Sequence, residues 1–549
     1  RGGGTPRVSL LLEGLVMYQS FVSLVAGAAV RLASLLGCLR AGSEADLVTP
    51  LVGKSTTDKR GKRYELAESV RRHCEFSQLP SWLRHHEQEQ RRSHGAWSNH
   101  QPYALGLKEG VERFLVRVNY SIDRHAARVA DAFVASRVKK GTLWAFSLDA
   151  AASSFEGATS YGWPFVSSSS EYYQPCLELS SELLKGSIKD YLAYPAILGT
   201  RGQAAGLNLR CKSRVVWQCS RVVANIEKMV FIPVFKALQH TPGFASWTSA
   251  MEVNHAITSM FDGNSCRRSV AWSPVMSVDF SKFDVTLPHE VIDRVYSIIR
   301  SWFRVEDQGL VSNLSYYVRH LSLITPEGVA SNKARGIPSG SVMTNLVDSL
   351  CNLWVMSYAA ARLAARVEAA EVQGDDGVYV FSETIDPVAM AQVIREELGM
   401  VINPEKGMTA DNEVHFLQNV HRASYRNRYG LCVGVRPLMR ILNGMMSYER
   451  FRPGWNSYLD SVRWAMQLSA AWEHPSFHLM AEWLLDKDAI LQICDADEVV
   501  MKAGGPETIK RFLGKRYDGA VTFCDDVAEL PGFNEVANVK ALRAESVGR

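Results

Sequence analysis

Val372-Gln373-Gly374-Asp375-Asp376-Gly377-Val378-Tyr379-Val380-Phe381 is the stretch on which the fold reading turns. One apolar run ends at Val372 and another begins at Val378, with two acids between Gly374 and Gly377. That order predicts strand, tight turn, strand, because glycine bends without a Cβ clash. Upstream, Val275 to Phe280 is a further run of strand length, with Asp279 at its end. Any one of these aspartates reads most simply as a turn or cap residue. Three of them, each at a strand edge that one sheet can bring together, read differently. Clustered carboxylates repel and raise one another's pKa unless cations intervene. Mg²⁺ takes oxygen ligands and is commonly shared between carboxylates and substrate phosphates. Two such ions about 3.5–4 Å apart can bind the attacking and the leaving oxygen of an in-line displacement.

Around these acids the pattern alternates between types. Pro288 and Glu290 open a helix whose apolar positions Val291, Ile292, Val295, Ile298, Ile299 and Trp302 follow a 3.6-residue period. After Gly336-Ile337-Pro338-Ser339-Gly340 a second helix carries Val342, Leu346, Val347, Leu350, Leu353 and Trp354 on one stripe, and Pro387 to Leu398 forms a third. Strands and helices mixed in this order predict an α+β core.

Composition sets wide bounds. The 549 residues are 47% hydrophobic and 21% charged, which describes an ordinary globular chain and excludes a disordered or fibrous one. A formal net charge of +4 neither requires nor excludes a nucleic-acid partner. The ten cysteines form no C-x-x-C pair, so they predict reduced thiols and no zinc ribbon. Gly14 to Val30 is free of charge but short for a membrane span and interrupted by polar residues, so it is expected to pack on the protein. Residues 59 to 97 are rich in Arg and His, including Arg71, Arg72, His73, His85 and His86, with Glu87 and Glu89 interspersed. A solvated basic surface that touches RNA phosphates is the expectation there, ahead of a histidine metal site.

The spacing of the acids matches a known pattern. Asp279-Phe280-Ser281-Lys282-Phe283-Asp284 resembles motif A of viral RNA-dependent RNA polymerases; Ser339-Gly340-Ser341-Val342-Met343-Thr344 with Asp348 and Asn352 resembles motif B; Gln373-Gly374-Asp375-Asp376 resembles motif C. Lys212-Ser213-Arg214 is similar to the basic motif F, and Thr159-Ser160-Tyr161-Gly162-Trp163-Pro164 to motif G beside the template entrance. Leu398-Gly399-Met400 with Asn403-Pro404-Glu405-Lys406 is similar to motif D, and Val414-His415-Phe416-Leu417-Gln418 to the primer grip, motif E. Asp348 and the Gly-Ile-Pro-Ser-Gly-Ser run look most like the enzymes of partitiviruses and picobirnaviruses, which have double-stranded RNA genomes; plus-strand RNA viruses share the same motifs.

The resemblance implies a right-hand α+β fold with fingers, palm and thumb, closed by an N-terminal segment at 1–100. Fingers are expected at 101–270 and 306–338, palm at 271–305 and 339–433, and thumb at 434–549, where Trp455, Trp464, Trp472 and Trp483 read as a helical core. It implies two Mg²⁺ ions, with Mn²⁺ able to substitute, held by Asp279 and Asp375 and more loosely by Asp376. Lys406 acts as the acid that protonates leaving pyrophosphate. Arg214, with Lys212 and Arg210, braces the triphosphate. Asp284, Ser339, Gly340, Thr344 and Asp348 face the incoming nucleotide, and Thr159, Ser160, Gly162, Pro164, Phe416 and Leu417 face template and primer. Implied partners are RNA template, nascent RNA, ribonucleoside triphosphates and a viral capsid protein, for a monomer inside the virion and in host cytoplasm, without a membrane. Two other readings stand beside it: a reverse transcriptase-like polymerase, which typically carries an aromatic steric gate after the first motif A acid and a Tyr-x-Asp-Asp turn, and a non-catalytic RNA-binding structural protein.

Overall fold

Where Val275 to Phe280 and the two runs around Asp375 were expected to form strands, three antiparallel strands assemble. In the computed structural model β5 (Met276–Val278) pairs with β9 (Asp376–Phe381), and β9 pairs with β8 (Val367–Gln373). The structure describes residues 27–41, 43–46, 59–93, 98–100, 102–155, 160–203, 212–263, 274–402, 412–446, 454–513 and 527–547. A four-stranded sheet runs β4 (Lys212–Gln218), β3 (Ala196–Gln203), β6 (Leu323–Thr325), β7 (Gly328–Ala330), so residues near 200 and near 325 share one sheet. A third sheet is the meander β10 (Glu413–Phe416), β11 (Asn419–Arg426), β12 (Cys432–Val435), and β1 (Ser43–Asp46) pairs with β2 (Ser98–His100).

The helices form where their end signals stand. Pro288 is the N-cap of His289–Trp302, and the six apolar residues named for its stripe are all buried. Asp386 accepts the Val388 amide at 3.0 Å at the start of Pro387–Leu398, and Gly399, at φ 63°, ends it. The helix Thr344–Arg362 is buried on every side from Leu346 to Ala360, wider than the expected stripe. It packs on the helices Arg124–Ala135 and His289–Trp302 and on the back of β8 and β9, so it is a core helix with Asp348, Ser349 and Asn352 as polar residues inside it.

A second core lies toward the C-terminus. Trp464 and Trp483 are buried there, whereas Trp472 is 38% exposed, so the tryptophan reading needs correction at that position. Val70, Cys74, Phe76, Leu79 and Leu83, far earlier in the chain, belong to this same core. Farther upstream, Arg31 donates from Nε to the Phe165 carbonyl at 3.0 Å and Arg40 donates to that of Pro326 at 3.2 Å. The reading of 59–97 as a solvated basic surface also needs correction. Arg71, Arg72 and His85 are exposed, but His86 and Glu87 are buried, and 94–97 lie outside the described residues. No described helix is long and apolar enough to cross a membrane, and Gly14–Val30 lies mostly outside the described residues. The described cysteines are free thiols.

Glu87 shows why that early segment is held. Its carboxylate accepts the amides of Leu438 at 2.7 Å and Met439 at 2.9 Å, capping the helix Leu438–Met446. His474 contacts it through Nε2 at 3.1 Å, while its own Nδ1 accepts the Ser476 amide at 2.9 Å, which leaves the ring proton on Nε2. Glu87→Ala strands two helix amides and an imidazole N–H in the interior, so a loss of about 2–4 kcal/mol is expected. The urea unfolding midpoint checks this, and an unchanged midpoint would remove Glu87 from the stabilising set.

Candidate active site

The register of β5 against β9 brings the acids together. Val278 pairs with Gly377, so Asp279 leaves β5 beside the place where Asp376 enters β9. Gln373 pairs with Asp376, which leaves Gly374 and Asp375 as the turn, with Gly374 at φ 62°. The buried helix braces that turn from behind. Ser349 Oγ accepts the Gly374 amide at 2.8 Å; Asn352 Nδ2 donates to the carbonyls of Gly374 at 3.0 Å and Asp376 at 3.3 Å; the Tyr379 hydroxyl donates to Asn352 Oδ1 at 2.7 Å. Ser349 as a brace was missed in the sequence. The available signal was a row of polar residues three or four apart, Asn345, Asp348, Ser349 and Asn352, in an otherwise apolar helix.

The electrostatics are those of crowded like charges. Burial, then Asp284 and Asp279, push the Asp375 carboxyl above its usual range, although part of the side chain reaches solvent and Arg214 opposes the shift. Burial, then Asp375 and Asp279, raise Asp376 to about 7 against the pull of Arg440. Among the described residues these three aspartates do not form a group whose ligand oxygens all lie within 4.8 Å of one another. Asp375 and Asp376, whose carboxyls are both pushed up, with Asp279 beside them make an all-oxygen donor set of the kind that hard divalent cations relieve, so these residues fit such ions.

A second group faces this one. Lys282, at φ 57°, turns the chain between Asp279 and Asp284. Arg214 Nη2 lies 3.5 Å from Asp284 Oδ2, and the Ser339 hydroxyl donates to the same oxygen. Asp348 is buried, and burial followed by Asp284 and Asp375 pushes its carboxyl well above the usual carboxylate range, which favours the protonated form. A protonated Asp348 can donate, as an asparagine amide there would, and its Oδ1 has no partner. Thr344 Oγ1 donates to the Pro338 carbonyl at 3.1 Å. Gly340 stands at φ 143°, and a Cβ on it would lie 1.9 Å from the Trp217 carbonyl oxygen. Since Trp217 N also donates to Ser339 O at 2.8 Å, β4 is seated directly on the loop before the buried helix.

Glu227, also missed in the sequence, ties that loop from below. It accepts from Ser341 Oγ at 2.6 Å and from the Val342 amide at 3.0 Å. Burial lifts its pKa to about 7 despite both bonds. The folded state therefore binds this proton more tightly than the unfolded chain does, and the stability it contributes is present at low pH and lost as pH rises through about 7. Glu227→Gln is thus expected to cost less, relative to wild type, at pH 8 than at pH 5.5. Urea titrations at the two pH values read this, and a pH-independent difference would contradict it.

Other positions fall elsewhere. Thr159, Arg210 and Lys406 lie outside the described residues, and Lys212 is described only through its backbone pairing with Gln203. Ser160 Oγ accepts the Gly162 amide at 3.2 Å, and a Cβ on Gly162 would lie 2.4 Å from the Cys219 carbonyl oxygen. Gly162 and Pro164 are buried, so they shape the loop and seat it against the end of β4 without offering a surface to RNA. Phe416 requires the same correction. It is 1% exposed in a small core with Val414 and Val378, so it supports the hairpin, and the turn residue Leu417, at φ 51°, is half-buried beside it.

Residues 207–473 match the family model described as viral RNA-dependent RNA polymerase. A stretch of 217 residues is 25% identical to the RNA-directed RNA polymerase of Cryptosporidium parvum virus 1 (strain KSU-1), covering 37% of this chain and 39% of that protein. Another of 161 residues is 24% identical to non-structural polyprotein 1AB of Mink astrovirus 1, covering 26% of this chain and 12% of that protein. The chain thus spans about two-fifths or less of these relatives' lengths. The crystal structure of the RNA-dependent RNA polymerase of a human picobirnavirus superposes with a TM-score of 0.72 at 20% identity, over 92% of this chain and 96% of that one. The fold is the right-hand polymerase fold.

Proposed function

We infer that this chain is a viral RNA-dependent RNA polymerase that copies RNA, from a genome most consistent with the double-stranded type, by joining ribonucleoside triphosphates on an RNA template. The observation that carries the reading is the β5–β9 register, which delivers Asp279 beside the Asp375-Asp376 turn with Asp284 and Arg214 facing it. Asp279 and Asp375 hold the divalent cations, two Mg²⁺ with Mn²⁺ able to replace them, and Asp376 supports them. When bound, such ions lower the pKa of the attacking 3′-oxygen and stabilise charge on the leaving pyrophosphate.

The chain's own groups then divide the work. Arg214, whose Nη2 lies 3.5 Å from Asp284 Oδ2, turns its guanidinium onto the triphosphate, where bidentate contacts to phosphate oxygens replace a single long ion pair. That exchange frees Asp284, with Ser339 and the proton-bearing Asp348, to receive the ribose 2′-hydroxyl, the group that separates RNA from DNA precursors. Thr344 holds the preceding loop in place through its bond to Pro338. Lys406 supplies the proton to pyrophosphate. Template and nascent RNA run past the Ser160–Pro164 loop and the hairpin turn at Leu417. A capsid protein as partner, action as a monomer, and residence in the virion and host cytoplasm complete the proposal.

Incubated with an RNA template, Mg²⁺ and labelled nucleotides, the protein is expected to incorporate ribonucleotides and to reject deoxyribonucleotides. Preference for deoxyribonucleotides would favour a reverse transcriptase, against which Asp284 and the Gly374 turn already stand; binding of RNA with no incorporation would favour a structural protein. Asp284→Ala is expected to narrow the ribose preference by about tenfold or more, the worth of one good hydrogen bond to a charged group, whereas Asp348→Asn, a neutral isostere, keeps it. Competition between ATP and dATP measures both, and unchanged selectivity in Asp284→Ala would reassign the sugar contact.

A further inference from the structure

Away from the aspartates, the imidazoles of His86 and His415 converge on one carboxylate, Glu413. His86 Nε2 lies 2.8 Å and His415 Nε2 3.7 Å from the same Glu413 Oε1, and the ligand atoms of all three residues fall within 4.8 Å of one another. We propose that His86, Glu413 and His415 form a structural site for a borderline transition-metal cation, Zn²⁺ in the first place, that staples the helix Ser81–Ser93 to strand β10.

The geometry and the donor chemistry support this independently of the polymerase reading. Bonds of about 2.0–2.1 Å in a tetrahedral zinc site put neighbouring donors roughly 3.3 Å apart, and the two N–O separations at Oε1 fall on either side of that value. Two imidazoles and a carboxylate suit zinc, whereas the oxygen-only aspartate cluster suits magnesium, so the two sites select different ions. The outer contacts are of the kind that orient metal ligands. Arg422 Nη1 holds the other oxygen, Glu413 Oε2, at 3.0 Å, and His86 Nδ1 faces Glu89 Oε2 at 3.7 Å. His86 is buried, but the His415 side chain is 41% exposed, which leaves a path for the ion and room for a water as fourth ligand. Binding replaces the His86 Nε2–Glu413 Oε1 contact; a proton on Nε2 moves to Nδ1, which faces Glu89, or leaves to solvent, and three coordinate bonds form in its place.

Its place in the fold gives the site its meaning. The His415 amide donates to Ser277 Oγ at 3.3 Å, and Ser277 lies in β5, two residues before Asp279. An ion at Glu413 therefore fixes an early helix against the strand that backs the palm sheet.

The test uses the full chain, stripped with chelator and titrated with Zn²⁺ by equilibrium dialysis in excess Mg²⁺. One zinc per chain is expected, retained in Asp375→Ala and weakened at least tenfold in His415→Ala and in Glu413→Gln, with a zinc-dependent rise of the thermal unfolding midpoint in wild type that His415→Ala lacks. His415→Ala replaces a half-exposed side chain and decides the matter even where Glu413→Gln does not fold. Zinc held equally by His415→Ala, zinc lost in Asp375→Ala, or no zinc bound at all would overturn the assignment.

Discussion

Asp375→Ala is expected to abolish nucleotide incorporation while leaving the unfolding midpoint unchanged or slightly raised. The turn at 374–376 is braced through the backbone of Gly374 and Asp376 and not through the Asp375 side chain. Burial, Asp284 and Asp279 disfavour its charge and outweigh the opposing pull of Arg214, so the carboxylate is on balance a repulsive group in the fold. Removing it relieves that repulsion and removes a cation ligand at the same time. A fall of roughly three orders of magnitude, ~4 kcal/mol of barrier, is a modest expectation for losing such electrostatic stabilisation. The informative result is the split between the two measurements. A variant that polymerises at the wild-type rate would end the two-metal proposal, and one that unfolds early would mean the turn is held differently.

Gly340→Ala is expected to be the most damaging methyl addition in the loop before the buried helix. The new Cβ would sit 1.9 Å from the Trp217 carbonyl oxygen, and that contact is with backbone, so no side-chain rotation relieves it. At φ 143° an alanine is strained in any case, by about 1–3 kcal/mol before the overlap is counted. Either the loop or β4 must move, and β4 carries Arg214 toward Asp284. A lower unfolding midpoint together with a raised KM for nucleotide is therefore expected. Gly309→Ala is the matched control. It lies in the helix Gln308–His320 with nothing within 4 Å of its new Cβ, and about 0.5–1 kcal/mol of stabilisation should follow. Equal behaviour of the two variants would show that the close approach at Gly340 is not what matters.

How much of this the sequence discloses depends on the range of the interaction. Strands β5, β8 and β9 and the helices after Pro288 and Asp386 are legible because their signals are local: apolar period, cap residue, terminating glycine. The aspartates are legible as a group only through motif order, since β5 and β9 lie about a hundred positions apart and nothing local sets their register. Glu227, buried under the Ser341–Val342 loop, carries no mark in sequence, because an acid in a helix normally faces water. The error at Phe416 was avoidable. In a strand, alternation puts Val414 and Phe416 on one face and His415 on the other, so the apolar pair points inward and the histidine outward. His86 and Glu87 stand in a basic run that looks solvated, and only partners 327 and 351 residues away reveal that they point inward.

That last separation has a consequence for biosynthesis. Glu87 and the apolar residues before it cannot reach their place until Leu438 and the helices beyond it exist, 351 residues later. At a ribosomal rate of about 5–20 residues per second, those early helices wait on the order of tens of seconds with their greasy faces uncovered. During that interval the nascent chain is open to chaperone capture or to self-association, so yield on expression should respond to translation speed and holdase supply more than the finished molecule's stability would suggest.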